Sequence, residues 1–473
     1  MAASAILPAW NCLKAGGYRF HRMGLAVSCR GTASFILRDC QFQTLKLVWN
    51  SKHIALTHKL LFLRVVIKTV RYLFAEKVKS ITFVQLLKIM KSQKIALING
   101  RICESGSDRV ISDVGIVIEG SRIVGVMPLA NIPQDIQCVD MEGFFVAPGF
   151  IDLLANGAGG GAFGVSANFG DLKMMAETMM AEGTTGFLAA APSNTLPMYL
   201  QMQSELQAHH SELPANFLGM HLEGPYFNME HRGAHRADCV RDCTDEELQA
   251  LLDKEMHFVR MMSVAPERIS DSQVEHLEEN GVRIAFAHSA ASYDEALHFL
   301  AKPHRSVTHL YNGMPQMHHR KPGHIPAIFR CKPSTGIIVD GVHVCYEMVR
   351  MAYDMMHASH HHSLYLFTDR FTDWPAMGIT YDAEHDYYVR ATSDGENIIC
   401  GSALSMIKAV RNSVEHVGIP IGTALEMASL MPAEVLGIDH LYGKLEGGYV
   451  ANLVAFDEDW QVKRVMFEGE WVR

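Results

Sequence analysis

From residue 143 to about 370, short strand-like apolar runs alternate with segments of helical periodicity. The runs close near Asn156, Ala191, Glu223, Pro266, Ser289, Asn312, His343 and Asp369, which makes eight. Segments with helical spacing, such as Leu172–Glu182, Asp245–Leu252 and Asp294–Ala301, separate most of them. Strand and helix alternating eight times predict an α/β fold, a (β/α)8 TIM-like barrel over residues 143–439. In such a barrel the C-terminal ends of the strands carry the chemistry. Met174, Met175, Met179 and Met180 sit at helical spacing and read as helix packing.

Outside this region the pattern changes. Ile95–Ile98, Val114–Glu119 and Arg122–Val126 read as short strands with turn signals, among them Asn99-Gly100, a hairpin dipeptide. Ala451–Phe456 and Val462–Phe467 repeat the pattern near the C-terminus. Neither end has enough apolar residues to bury a core alone, so residues 90–142 and 440–473 are expected to meet in one small β-sandwich. A chain of 473 residues has room for both modules.

Charge divides the chain unevenly. Residues 1–89 hold 14 Lys and Arg against 2 Asp and Glu, whereas the remainder holds 28 against 49. A body that acidic predicts no nucleic-acid partner, so an anionic substrate must be held by a few local cations. The basic segment 1–89 reads as an extension to the enzyme, disordered or outside its native form. A transit peptide and a basic membrane-surface helix are two accounts of it. The preferred account is that translation begins at Met90. Ile54–Phe74 is apolar, but His58, Lys59, Arg64, Lys68 and Arg71 interrupt it, so no membrane span is expected. Ten cysteines without paired spacing predict reduced thiols and a cytoplasmic location.

Chemistry gathers at the strand ends. Glu223 ends the third run in His221-Leu222-Glu223-Gly224-Pro225, which leaves its carboxylate at the barrel mouth. His288 and His309 close the fifth and sixth runs, on strands about 4.8 Å apart. One Glu and two His that leave a position open for water make a catalytic rather than a structural zinc site. Asp369 ends the eighth run, where a base for that water belongs. His360-His361-His362 is discounted as a metal site, because consecutive side chains cannot all face one ion. No phosphate-loop glycine pattern is present.

These segments resemble the N-acetylglucosamine-6-phosphate deacetylase family of the amidohydrolase superfamily. The likeness is carried by HLEGP at 221–225, by Thr308–Pro315 and by Gly401–Met406 through Ala451-Asn452-Leu453. It implies that Glu223, His288 and His309 ligate one divalent ion per chain, with zinc expected, and that Asp369 shuttles the proton. It also implies that Arg320 grips a phosphate and that His235, Asn312, Gly313 and His343 contact the substrate. The expected reaction is hydrolysis of N-acetylglucosamine 6-phosphate to glucosamine 6-phosphate and acetate. The 4-epimeric galactosamine substrate is one alternative, and a catalytically silent sugar-phosphate binder is another. The partners expected are a small amino-sugar phosphate and further copies of the chain, in a homodimer or larger homo-oligomer that completes the phosphate pocket. Two residues depart from the family pattern. Leu154 stands where a superfamily ligand for a second metal is common, which favours a single ion. Arg370 replaces the small residue that usually follows the catalytic aspartate.

Overall fold

Eight parallel strands wind in sequence order around one barrel. They are Phe150–Ala155, Thr184–Pro192, Phe217–Glu223, Val259–Val264, Arg283–Phe286, Ser306–Val307, Ser334–Ile337 and Leu364–Leu366, each paired with the next. This computed structural model describes residues 23–27, 32–39, 42–50, 94–252, 257–356, 363–391 and 397–473. Strand one is buried along its whole length and strand two at every residue but the last. Parallel strands covered on both faces are apolar throughout for this reason.

Strand eight returns to strand one. Asp369 N donates to Leu154 O (2.9 Å) and Asn156 N donates to Arg370 O (2.9 Å). Below this seam Asp152, fully buried, accepts Thr368 Oγ1 at 2.6 Å and the amides of Thr368 and Leu154 at 3.2 Å each. Burial still pushes the Asp152 pKa up to about 6 against those bonds.

The helices lie outside and dock by 3–4 spacing. Helix Phe169–Ala181 buries Phe169, Leu172, Met175, Ala176 and Met179, whereas Met174 of the methionine group is exposed. Capping boxes start Asp271–Glu279 (Ser270 with Gln273) and Tyr293–Leu300 (Ser292 with Glu295).

Both ends of the enzyme region form the sandwich. One sheet holds Arg122–Pro128, Val114–Glu119, Lys94–Ile98 and Gln137–Asp140. The other holds Phe145–Pro148, Leu453–Phe456, Val462–Phe467 and Glu470–Trp471. Leu97, Ile116, Ile118, Val146, Leu453 and Met466 share one core between them. Strand Phe145–Pro148 pairs with Leu453–Phe456, so the sandwich reaches past the boundary expected at residue 142. Asn99-Gly100 does turn the chain, with Asn99 at φ 57°, but it joins no paired strands. Two-residue hairpins of the sandwich are Gly120-Ser121, between paired Glu119 and Arg122, and Glu468-Gly469, between paired Phe467 and Glu470. A further three-stranded sheet, Ile379–Asp382, Tyr387–Ala391 and Asn397–Ser402, follows strand eight and was not expected.

By contact the chain divides into units Met1–Leu87 and Lys88–Arg473. In the first, Met23–Val27, Thr32–Asp39 and Phe42–Asn50 form an antiparallel sheet. The segment 54–74 and the triple histidine 360–362 lie outside the described residues. Among the described residues no helix is long and apolar enough to cross a membrane.

The Asp152–Thr368 clamp makes a testable demand. Thr368→Val removes the donor of its shortest bond and should lower stability by about 1–3 kcal/mol, the cost of a buried acceptor left short. Urea unfolding reads this, and an unchanged midpoint would show that the clamp does not hold the seam.

Candidate active site

Four loops at the C-terminal ends of the strands bring the chemistry together. Glu223 is the last residue of strand three, and His288 and His309 follow strands five and six. His235 comes from the loop after strand three. Glu223 Oε1 lies 2.9 Å from His309 Nε2 and 3.7 Å from His288 Nε2, and the two Nε2 atoms are 3.0 Å apart. His235 Nε2 lies 3.8 Å from Glu223 Oε2. Glu223, His288 and His309 are buried. His288, His309 and Asp369 all adopt left-handed backbone, with φ of 47°, 29° and 47°. Such conformations survive only where the surroundings impose them, and they concentrate at functional sites.

The neighbours fix the tautomers. His288 Nδ1 faces the His231 carbonyl at 2.7 Å, and a carbonyl only accepts, so Nδ1 carries the proton. Burial holds the His288 pKa below its usual value, which leaves a neutral ring with an Nε2 lone pair toward Glu223. His235 is the reverse case. Its Nδ1 accepts the backbone N–H of Ser193 at 3.1 Å, and burial again keeps the ring neutral, so the proton sits on Nε2. His309 Nδ1 is buried without a hydrogen-bond partner among the described residues, and its Nε2 faces both Glu223 and His288.

This donor set fits a divalent ion. Metal–nitrogen bonds of about 2.0–2.1 Å at tetrahedral angles put ligand atoms roughly 3.3 Å apart. Glu223 Oε1, His288 Nε2 and His309 Nε2 are separated by 2.9–3.7 Å. Glu223, His235 and His288 also fall within 4.8 Å of one another. The His235 tautomer separates the two triplets, because an Nε2 that carries hydrogen donates rather than ligates. Burial would raise the Glu223 pKa, but the facing imidazoles, His235 first through its Nε2–H, hold it well below the ordinary range, so it is ionised.

Asp369 lies across the site. Its Oδ1 accepts Asn156 Nδ2 at 2.7 Å. Burial first, and then the charge of Glu223, push its pKa well above the usual carboxylate value. His343, after strand seven, pairs through Nδ1 with Asp340 Oδ2 at 2.5 Å. Gly313 (φ 61°) lies against the His288 ring, where a Cβ would come within 2.5 Å of Nδ1. Asn312 gives its side-chain amide to Leu310 O at 3.4 Å. Arg320 is on the same loop but exposed, and its guanidinium has no partner among the described residues. Arg370 pairs with Glu182, just beyond helix Phe169–Ala181.

Several positioning residues escaped sequence reasoning. His221, two residues before Glu223, bridges Leu153 O and Ser263 Oγ at 2.7 Å each, and Ser263 Oγ continues to Thr308 Oγ1 at 2.7 Å. Alternation along a strand was the available signal, since positions i and i+2 share a face. Glu267 holds the loop after His288 by accepting Ser289 Oγ (2.6 Å) and Ala290 N (2.7 Å), and no local pattern announces it.

The tautomers yield a metal-binding prediction. His309→Gln should weaken divalent-ion binding by at least ~100-fold, more than loss of an outer partner costs. His235→Gln should keep close to one tight ion per chain. Elemental analysis after dialysis reads both, and the opposite pattern would put His235 among the ligands.

Comparison with known proteins agrees with this geometry. Residues 145–472 match the amidohydrolase family. N-acetylglucosamine-6-phosphate deacetylase of Haemophilus influenzae is 31% identical over 374 residues, covering 76% of this chain and 95% of that protein. N-acetylgalactosamine-6-phosphate deacetylase of Escherichia coli O157:H7 is 30% identical, covering 74% and 93%. Among solved structures, N-acetylglucosamine-6-phosphate deacetylase of Pasteurella multocida superposes with a TM-score of 0.71 at 29% identity, covering 80% of this chain and 99% of that one. The family match, the identity along nearly the whole of a relative and the shared barrel with its sandwich lead to one conclusion: the chain belongs to the amidohydrolase family, in its N-acetylglucosamine-6-phosphate deacetylase group.

Proposed function

We propose that this chain hydrolyses the acetamide of N-acetylglucosamine 6-phosphate to glucosamine 6-phosphate and acetate. The observation that carries the reading is the convergence of Glu223, His288 and His309 opposite a half-buried Asp369 of raised pKa. The galactosamine epimer is a second reading, because a relative that acts on it is about as similar to this chain as the others. Acetate release from the two epimers, measured side by side, separates them, and release from neither would leave the silent binder.

Family membership implies a divalent ion. Held by Glu223, His288 and His309, and zinc in this reading, it supplies Lewis acidity to water and to the amide carbonyl. The chain's own residues do the rest. Asn156 occupies Asp369 Oδ1, which leaves Oδ2 to take a proton from the attacking water. The hydroxyl adds to the acetyl carbon. Asp369 then returns its proton to the departing nitrogen as the C–N bond breaks, so one residue serves as base and acid. The Nε2–H of His235, 3.8 Å from Glu223 Oε2, is suited to the acetyl oxygen as charge develops there. Arg320 can offer its planar fork to the phosphate. The backbone amides of Asn312 and Gly313, together with His343, contact the sugar phosphate. Exposure and the lack of an ion-pair partner at Arg320 fit a residue that completes its pocket in a homodimer or larger assembly, within the cytoplasm.

Asp369→Asn should lower kcat by about 10²–10⁴-fold while the ion stays bound, the usual worth of general acid–base catalysis. The carboxylate is the active form, so activity should fall as pH drops through the raised pKa. The acid limb of kcat/KM should therefore lie above the ordinary carboxylate value of about 4. A limb at or below that value contradicts the assignment.

Arg320→Ala should raise KM for the phosphorylated sugar by at least ~10-fold, because each charge-assisted hydrogen bond is worth about 1.5–3 kcal/mol. Turnover of unphosphorylated N-acetylglucosamine should change little. Equal losses on both would assign Arg320 a structural role.

A further inference from the structure

The loop after the seventh barrel strand is built around one aspartate. Asp340 Oδ1 accepts the backbone N–H groups of Val342 (2.9 Å) and His343 (2.8 Å), while Oδ2 takes the Nδ1–H of His343 at 2.5 Å. A side-chain oxygen that accepts from the backbone two residues on closes an Asx turn, and an amide does this as well as a carboxylate. Asn228 does so here with Glu230 N at 2.9 Å, and Asn168 with Gly170 N at 2.7 Å. The turn therefore uses one oxygen of Asp340. The other serves only the imidazole.

The surroundings hold this arrangement in place. Both side chains are buried, at 5% exposure for Asp340 and 9% for His343. Gly341 (φ 79°) lies against the Tyr346 ring, where a Cβ would meet it at 2.8 Å. Tyr346 OH donates to Asp340 O at 3.3 Å, and Asn412 Nδ2 donates to Val339 O at 2.8 Å. Hydrogen bonds from His343 and the backbone outweigh burial and keep Asp340 ionised, so it can only accept. His343 Nδ1 must then carry the hydrogen. Asp369 is near enough for its charge to act on the same ring.

We propose that Asp340 is a positioning residue for deacetylation: through Nδ1 it fixes the ring plane and proton placement of His343, so that Nε2 meets the sugar-phosphate substrate in one orientation. This rests on the reading that His343 touches substrate, and adds a residue with no substrate contact of its own. A partner on one imidazole nitrogen decides what the other can offer.

Asp340→Asn tests it. The asparagine Oδ1 keeps the turn, but its Nδ2 opposes His343 Nδ1 with a second donor, so the ring must turn or exchange tautomers. Metal content and the unfolding midpoint should stay near wild type, while kcat/KM on N-acetylglucosamine 6-phosphate falls about 10–10²-fold, the cost of a misplaced group. His343→Gln should lose at least as much, and the double variant no more than His343→Gln alone. Losses that multiply would overturn the proposal, because Asp340 would then act by another route. A second measurement needs no substrate. In protein labelled with ¹⁵N-histidine, a low-field Nδ1–H resonance that is missing from His343→Gln should also be missing from Asp340→Asn, and its persistence there would overturn the proposal. Loss of the resonance with full activity removes the positioning role alone. A wild-type protein that shows the resonance but deacetylates neither epimer removes the functional reading, and this role with it.

Discussion

Two carboxylates, Glu223 buried and Asp369 half-buried, share one barrel mouth, and the charge of Glu223 acts on Asp369. Away from water, like charges at short range cannot both ionise cheaply. The neighbours decide which one does. Glu223 faces three imidazoles. Asp369 receives one amide, from Asn156, and the more distant charge of His343. One carboxylate is therefore held as an anion fit to ligate, and the other is poised to exchange a proton. Environments that drive two acids apart divide their roles in this way. In the proposed reading, near-identical chemistry on two strand ends serves as a ligand and a base without any difference in side-chain type beyond one methylene.

That division needs a rigid support. Beneath the site, Leu153 O, His221, Ser263 and Thr308 form a hydrogen-bonded chain across strands one, three, four and six. Burial lowers the His221 pKa to about 4, so this link is neutral and adds no charge below Glu223. Both its nitrogens are partnered, and a satisfied buried network stiffens a core where a half-satisfied one would loosen it. Rigidity has a use here. Left-handed backbone at His288, His309 and Asp369 costs on the order of 1–3 kcal/mol each, and only a framework that over-determines these positions keeps them there. Gly313 shows how close the fit is, because even a methyl group at that position would strike the His288 ring.

What the sequence disclosed follows from which forces are local. The eight runs were legible because strands covered on both faces must be apolar, and the outer helices because one stripe faces the barrel. Glu223, His288, His309 and Asp369 were legible because polar residues at the ends of such runs stand out. The roles of Asn156 and Glu267 were not, since each depends on a partner that only folding brings near, across 213 positions for Asn156 and Asp369. Tautomers were out of reach for the same reason: His235 and His288 look alike in sequence and differ only in whether an amide or a carbonyl faces Nδ1. Asn99-Gly100 misled because hairpin dipeptides report a local turn, whereas pairing depends on which strand the fold sets alongside. Arg370 looked like a threat to the site, yet its guanidinium pairs with Glu182.

In the proposed reading, strand one and the residue that follows it account for a single ion. Three of its polar or substituted positions are candidates for a second ligand set. Leu154 is buried and apolar, with no atom that can ligate. The Asn156 side chain is oriented by its amide nitrogen, which donates to Asp369. The Asp152 carboxylate already accepts two bonds from Thr368 and one from the Leu154 amide, and taking it for a metal would open the seam between strands one and eight. The polar groups that other barrels could spend on a second cation are spent here on closing the barrel and aiming the base. Burial raises the Asp369 pKa whether or not Glu223 holds an ion, and in the one-ion reading proton transfer falls to that one side chain. In the proposed reading, the apolar Leu154 and the reliance on Asp369 therefore belong to one arrangement.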